Sequence, residues 1–315
     1  MSAASEILAE FDAQRDGADV ERRDGLTPAA FFSEYVEKAR PVVVSAALKE
    51  CSALSRWTPA HLRAVSGNAR VKLKQGLADK GVMALRTVES SLSDYLDSLA
   101  RYEALLRDGA ACAEDRPAYL HDVPLLSILP DADSDLEGFP AGYFPRFYRR
   151  DWWRFAQFFL GPTHSLTPLH FDCLLTHNLF FQVAGRKRFI LLPYEQRAFC
   201  HRYQWRWFKV DAENPDVSLH SEYRQARPMR CVVGPGDMLY MPPGMLHHVR
   251  SLDTAISFNV DWHTRRSAVQ GVFALGQGMP TKNVYYNAVL ALGLCAGLPA
   301  KSILPFYRSY LNYVS

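Results

Sequence analysis

No two of the six cysteines form a Cys-x-x-Cys pair, so the zinc-ribbon and thioredoxin-type sites built on that spacing find no support. An even cysteine count does not argue for a disulfide framework in a chain of 315 residues, which is long enough to bury a core without staples. Neither charge sign dominates. Lysine and arginine total 36, aspartate and glutamate 33, leaving +3, too little to argue for a nucleic-acid partner. Long apolar runs are missing as well. The most apolar stretch, residues 288–298, contains glycines and stops at Pro299, whereas a bilayer span needs about 20 residues. The first ten residues are amphipathic, with no basic segment ahead of an apolar one, and do not read as a secretory signal. No internal repeat or low-complexity tract is visible. These absences predict a reducing, cytoplasmic location with no membrane association.

What is present is an ordinary globular composition, 48% hydrophobic and 22% charged. The first 140 or so residues read as mixed helix with few strands. Thr27-Pro28 and Thr58-Pro59 each place a capping hydroxyl before a proline at the first helical position. Phe31, Phe32, Tyr35 and Val36 follow the first, Leu62 and Val65 the second, as apolar stripes. Residues 41–44 and 71–73 are strand candidates, and residues 92–105 have helical spacing at Leu92, Tyr95, Leu96 and Leu99. The acidic segment 131–138 reads as a surface loop. From Phe155 the pattern turns to strands: 166–171, 178–183, 188–192, 231–233, 238–241, 247–250 and 255–260. The turn Ala184-Gly185-Arg186 predicts a hairpin between 178–183 and 188–192, and the last two strands are expected to pair. Residues 203–227 are aromatic, charged and irregular, either a substrate lid or a packed surface excursion. After Arg265 helix returns, with Tyr285, Val289, Leu292, Ile303, Phe306 and Tyr310 as apolar positions. Strands with Pro/Gly turns at this spacing predict a β-barrel or sandwich with helices outside it. The expected organisation is one domain over 1–265 and a helical region over 266–315.

Chemistry concentrates in His170-Phe171-Asp172 and, far downstream, Pro242-Pro243-Gly244-Met245-Leu246-His247-His248. Two imidazoles and a carboxylate are the donor set that holds non-haem Fe(II) with coordination positions open. His-x-Asp on a strand puts both side chains on one face, because side chains alternate. A bare His-x-Asp also fits two residues at a strand end, with His247 a core histidine. The segment Gly236-Asp237 to Pro243 leads a strand toward His247, as a barrel site requires. Of the adjacent histidines only one can face inward, and His247 is the expected ligand.

The wider pattern is specific. Thr167-Pro168-Leu169-His170-Phe171-Asp172, then residues 178–188, then Val233-Gly234-Pro235-Gly236-Asp237 to His248 and Ser257-Phe258-Asn259 resemble the JmjC-type cupin hydroxylases. The subgroup they look most like contains the asparaginyl hydroxylase factor inhibiting HIF. Gly25-Leu26-Thr27-Pro28 and Arg40-Pro41-Val42-Val43 resemble that subgroup's entry segment. The resemblance implies a mainly β fold, a double-stranded β-helix (jelly-roll or cupin) core with flanking N-terminal and C-terminal helices. It implies a dioxygenase using Fe(II), 2-oxoglutarate and O2 to hydroxylate a C–H bond, with succinate and CO2 as co-products.

Carried over by position, His170, Asp172 and His247 are the catalytic iron ligands. Lys187, Thr167 and Tyr119 would bind the distal carboxylate of 2-oxoglutarate, and Asn178 and Asn259 would line the iron and co-substrate pocket. Each has a plainer alternative. Lys187 could be a solvated charge in Arg186-Lys187-Arg188, although alternation sends it opposite to both arginines. Thr167 could be there for strand propensity and Tyr119 as a core aromatic. An Asn within an apolar strand is costly unless hydrogen-bonded, which favours a polar pocket. Met245 and Leu246 stand where the subgroup has aromatics, and the segment 173–177 is longer, so the substrate is expected to differ. Peptide or protein side chains and small natural-product intermediates are the expected substrates. A non-catalytic cupin-like binding or sensor protein and an RNA-modifying hydroxylase are the alternatives. The C-terminal helices either form a homodimer, as in relatives, or cap the barrel.

Overall fold

The computed structural model describes residues 18–76 and 86–313. The first ten residues and the side chain of Tyr310 lie outside that description. Two sheets face each other. The first runs β1 (Ala18–Asp19), β11 (Met229–Val233), β10 (Lys187–Leu192), β13 (Leu246–Ser251) and β8 (Leu166–His170). The second runs β2 (Arg22–Asp24), β3 (Val42–Ser45), β12 (Met238–Met241), β9 (His177–Ala184), β14 (Ala255–Trp262), β7 (Ala156–Gly161) and β6 (Leu120–Pro124). A separate ribbon pairs β4 (Arg70–Gln75) with β5 (Arg86–Ser91). The fold is mainly β with a double-stranded β-helix core and flanking helices, as the sequence implied.

Both faces of the central strands are covered, so they read as near-continuous apolar runs rather than alternating ones. Between the sheets lie Val43, Phe180, Phe189, Leu191, Leu239 and Met241. On the far side of the second sheet, Leu179, Phe181, Phe258, Val260 and Trp262 pack against helical segments in the largest apolar cluster. On the far side of the first sheet, Leu169, Phe171, Ile190, Leu192 and Leu246 meet Phe208, Val210 and Tyr223.

The two expected strand pairs do not form. β9 pairs with β12 and β14, whereas β10 pairs with β11 and β13. Likewise β13 and β14 belong to different sheets. Each turn is a corner where the chain crosses between sheets. The two corners abut: Arg186 Nε donates to Asp253 Oδ2 at 2.7 Å. Gly185 has φ +68°, and a Cβ there would stand 2.3 Å from Thr254 O. Turn residues announce a reversal but not which sheet the next strand joins.

The proline-led helices form as expected. Thr27 and Thr58 Oγ1 accept from Ala30 N and His61 N at 3.2 Å each. Leu62 is buried but Val65 is 42% exposed. The helix Leu92–Arg107 buries Leu92, Tyr95, Leu96 and Leu99. The N-terminal part holds more strand than expected, with six short strands before Leu125 among the described residues. Segment 131–138 is not a plain surface loop. Asp135 is buried and accepts from Trp57 Nε1 at 3.2 Å, with His61 Nε2 at 2.9 Å.

The C-terminal helices are Arg265–Phe273, Thr281–Ala296 and Ala300–Tyr313. Tyr286, Leu290, Ile303 and Tyr307 join the main core. The expected apolar face of Thr281–Ala296 is turned outward, with Tyr285 and Leu292 exposed, as is Phe306 on the last helix. The buried face carries Tyr286, Leu290 and Leu294 together with Asn283 and Asn287. The two asparagine amides donate to Cys173 O and Leu174 O at 3.3 Å each, so polar anchors and a second apolar stripe together set the buried face. Among the described residues no helix is long and apolar enough to cross a membrane, and the six cysteines are free thiols.

Candidate active site

Strand alternation aims one set of side chains into the space between the sheets. His170 at the end of β8 and His247 on β13 are direct cross-strand partners, with ring centroids 4.1 Å apart. Asp172, two residues beyond His170, points the same way. One donor atom from each of the three lies within 4.8 Å of the others. His170 Nδ1 is 2.8 Å from Pro168 O, and His247 Nδ1 is 3.0 Å from Met245 O. A carbonyl only accepts, so each Nδ1 carries the hydrogen and each Nε2 keeps its lone pair. His247 Nε2 and Asp172 Oδ1 are 3.8 Å apart, too long for a hydrogen bond and suited to two donors around one ion. Burial, then the His247 ring and Arg206, hold His170 well below the usual histidine range, which keeps it neutral. Asn178 Nδ2 donates to Asp172 Oδ2 at 2.9 Å and fixes the carboxylate.

Deeper in the same cavity lies Lys187. Its Nζ donates to Tyr119 Oη at 2.8 Å and to Ser257 Oγ at 2.9 Å, between the rings of Phe159 and Phe180. Burial pulls this ammonium down to about 7. Arg186 and Arg188 face the other way, as alternation requires. Thr167 also lines the cavity, although it stands three residues before His170, which regular alternation would send to the opposite face. A register shift between His247 and Val249 in the β13–β8 pairing absorbs the difference. Thr167 Oγ1 is 3.1 Å from His121 Nε2. Asn259 lines the cavity as well, its amide donating to Asp261 Oδ1 at 3.3 Å. The structure thus brings together all eight residues singled out in the sequence: His170, Asp172, His247, Lys187, Thr167, Tyr119, Asn178 and Asn259.

Other residues of this cavity were not foreseen. Asp261 and Ser257 flank Asn259 at a spacing of two on β14, and alternation could have found them. His121 and Asp122 are adjacent yet both line the cavity. Asp122 has φ +63° at a register shift between β6 and β7, a conformation rare for a residue with a side chain. Burial pushes Asp122 up to about 6, with Lys74 and Arg206 opposing. Burial, then Asp172 and Asp122, raise Asp261 well above the usual carboxylate range. Burial, then Lys74 and Lys187, hold His121 far below the histidine range.

His248 faces away from the cavity, 3.5 Å from Glu213 Oε2. Glu213 also accepts from Arg188 Nη2 at 2.6 Å and from Arg250 Nε at 2.7 Å. Asp211, Glu213 and His248 could also be drawn together by a cation, but the two guanidiniums already neutralise Glu213. Segment 203–227 is a packed excursion over the outer face of the first sheet rather than an open lid. Phe208, Val210, Ala212, Tyr223 and Ala226 join an apolar cluster there. Phe171 N donates to Arg206 O and Phe208 N to Leu169 O, both at 3.2 Å. That strand-like contact stacks Trp207 on His170, centroids 4.7 Å apart, and brings Arg206 to the cavity.

Comparison with known proteins places this geometry in a family. The cupin-like domain matches residues 28–268. The human bifunctional peptidase and (3S)-lysyl hydroxylase JMJD7 is 27% identical over 270 residues, 74% of this chain and 80% of that protein. The lysine-specific demethylase JMJ30 of Arabidopsis thaliana is 27% identical over 257 residues, 77% of this chain, which spans 54% of that protein's length. The human tRNA wybutosine-synthesizing protein 5 is 22% identical over 264 residues, 77% of each chain. With most of its length matched and a His–Asp–His cluster between its sheets, the chain belongs to the cupin-like domain family and is an enzyme of the JmjC oxygenase class.

Proposed function

We propose that this protein is an Fe(II)- and 2-oxoglutarate-dependent hydroxylase acting on a peptide or protein side chain or on a small natural-product intermediate. The observation that carries the reading is the pinning of both histidine Nδ1 hydrogens on backbone carbonyls. It leaves both Nε2 atoms and the Asp172 carboxylate facing one point. This donor set suits Fe(II), and the support behind each ligand is what a built metal site carries. His170, Asp172 and His247 would hold the iron, with Asn178 orienting the carboxylate. Lys187, Tyr119 and Thr167 would take the distal carboxylate of 2-oxoglutarate. Lys187 supplies the countercharge, and the two hydroxyls supply hydrogen bonds. Bound iron with 2-oxoglutarate and O2 would supply the oxidising chemistry, yielding succinate and CO2. The surrounding residues bind, orient and exclude water: Phe159, Phe180 and Phe189 dry the co-substrate end, and Trp207 holds the His170 ring in place.

The subgroup of the asparaginyl hydroxylase factor inhibiting HIF remains part of this reading, on the motifs around residues 167–188 and 233–248. The likeness to the human lysyl hydroxylase and the plant lysine-specific demethylase supports a protein or peptide substrate. The C-terminal helices are proposed to form a homodimer, since Phe273, Leu292 and Phe306 are exposed there at 76%, 62% and 58%, an apolar display that marks interaction surfaces.

Anaerobic Fe(II) with 2-oxoglutarate should give a weak visible charge-transfer band, and oxygen should then release succinate. His170→Ala and Asp172→Ala should reduce succinate to background while keeping a cooperative melt. A wild-type protein with neither band nor succinate overturns the reading, and activity surviving in either variant overturns the ligand assignment.

A further inference from the structure

A second cleft, of about 580 Å³, opens between segment 145–151, the residues just after β14 and the C-terminal helices. It shares no lining residue with the iron cavity, and its size is that of a small-molecule site. One wall is apolar, with Phe32, Phe147, Leu294 and Leu298. Phe32 is braced edge-on against Trp262, ring centroids 6.1 Å apart. The lining also carries three exposed guanidiniums, Arg146, Arg150 and Arg265. Two sides of the cleft are tied where Tyr148 Oη accepts from His263 N at 3.1 Å. Tyr148 is buried, so the turns that bear Arg146 and Arg150 are anchored to the core.

The positive charge has no match inside the cleft. Among the described residues, Arg146 and Arg150 take part in no hydrogen bond or ion pair. Their neighbour Arg149 is engaged, its Nε donating to Phe144 O at 2.8 Å. Asp151 is the one carboxylate of the lining, and it already faces Arg154, 3.6 Å from Nε. His263 adds no charge, since burial pulls it down to about 3. Two helices begin at the cleft, Arg265–Phe273 behind Thr264 and Ala300–Tyr313 behind Pro299, and each N-terminus adds partial positive charge. The end of Thr281–Ala296 also reaches it, but its carbonyls are occupied. Gly293 O accepts from Leu298 N at 2.9 Å, and Leu294 O from Arg265 Nε at 3.0 Å.

We infer that this cleft binds a small amphiphilic anion, its oxyanion head on Arg146, Arg150 and Arg265 and its apolar body along Phe32, Phe147 and Leu298. A guanidinium offers parallel N–H donors that match a carboxylate or a phosphate. Arg265 is held at the cleft by its bond to Leu294 O, which spends one nitrogen and leaves the other two for the ligand. An anion also relieves the mutual repulsion of three like charges around one opening. The apolar wall adds the second half of the match, because it rewards a hydrocarbon body that a bare ion lacks. A nucleic acid fits less well, since it needs an extended basic stripe and this charge is gathered in one concave site. The inference stands apart from the hydroxylase reading and needs neither iron nor 2-oxoglutarate.

The test measures binding calorimetrically on the full chain, with Mn(II) and 2-oxoglutarate filling the iron cavity. The probes are octanoate, n-octyl phosphate, 1-octanol, acetate and inorganic phosphate, all below micellar concentrations. At least one octyl anion should bind about tenfold or more tightly than octanol and than its own bare head group. Tighter octanoate marks a fatty carboxylate as the ligand, tighter octyl phosphate a phosphate monoester. Arg146→Gln with Arg150→Gln should lower that affinity about tenfold and leave the melt unchanged, since both side chains are exposed. Octanol or the bare head groups binding as tightly as the octyl anions overturns the inference. So does no binding of either octyl anion, or an affinity intact in the double variant. Octyl anions that bind only when 2-oxoglutarate is left out occupy the iron cavity instead and also overturn it. Capture by phosphatidylglycerol vesicles with no affinity for the free amphiphiles would put a membrane surface in place of a small ligand, and equally overturns it.

Discussion

Lys187 is the residue whose protonation state must answer to what enters the cavity. Burial pulls it from 10.5 to about 7, so above that pH the empty protein holds it largely neutral. A bound carboxylate favours the ammonium, so loading above pH 7 takes up a proton. The affinity for 2-oxoglutarate is therefore expected to fall as pH rises through about 7 and beyond, and to be less pH-dependent below it. Titrations of the Mn(II)-loaded protein across that range check this, and an affinity flat with pH counts against Lys187 as the carboxylate partner. The same shift has a stability sign. Between pH 7 and 10.5 the unfolded chain holds more protons, so this lysine's penalty on the fold fades as pH rises. Lys187 was legible in the sequence because alternation separates it from its arginine neighbours. Thr167 and Asp122 were not legible from spacing, since each reaches the cavity through a register shift that no periodicity announces.

At the scale of elements, segment 203–227 is fastened by one carboxylate. Burial pushes Glu213 up, but the adjacent His248 ring and the hydrogen-bonded Arg250 guanidinium win and hold it well below its ordinary range. Its folded value is depressed, so its contribution to stability is fully present above pH 4.5, its ordinary value, and is lost as pH falls further. Glu213→Gln removes the buried carboxylate that Arg188 and Arg250 donate to and is expected to cost about 3–5 kcal/mol. Urea melts at pH 7 and pH 4 should show that difference shrinking in acid, and an equal difference at both would show that the ion cluster is not what holds the segment. The strands themselves were legible from apolar runs between Pro/Gly turns. Their pairing was not, because the corners at Gly185 and Asp253 look locally like hairpin turns. A double-stranded β-helix reveals its sheet assignment only through contacts distant in sequence.

At the scale of the whole molecule, the C-terminal helices both cap the core and display apolar side chains. If they dimerise, Leu292→Glu with Phe306→Glu should convert a dimer to a monomer in sedimentation without lowering the melt. A wild-type monomer at micromolar concentrations would remove the proposal. The helices were legible from periodicity, but the face was misjudged because Asn283 and Asn287 look like solvent positions. Those two amides reach the carbonyls of Cys173 and Leu174, the residues immediately after Asp172. The family match ends at residue 268, before either asparagine. A chain cut at that boundary would keep all three donors of the His–Asp–His cluster yet lose the outside grip on the backbone beside one of them. Its expected signature is weakened metal retention, and it makes the tail of the molecule a remote determinant of how firmly its centre is held.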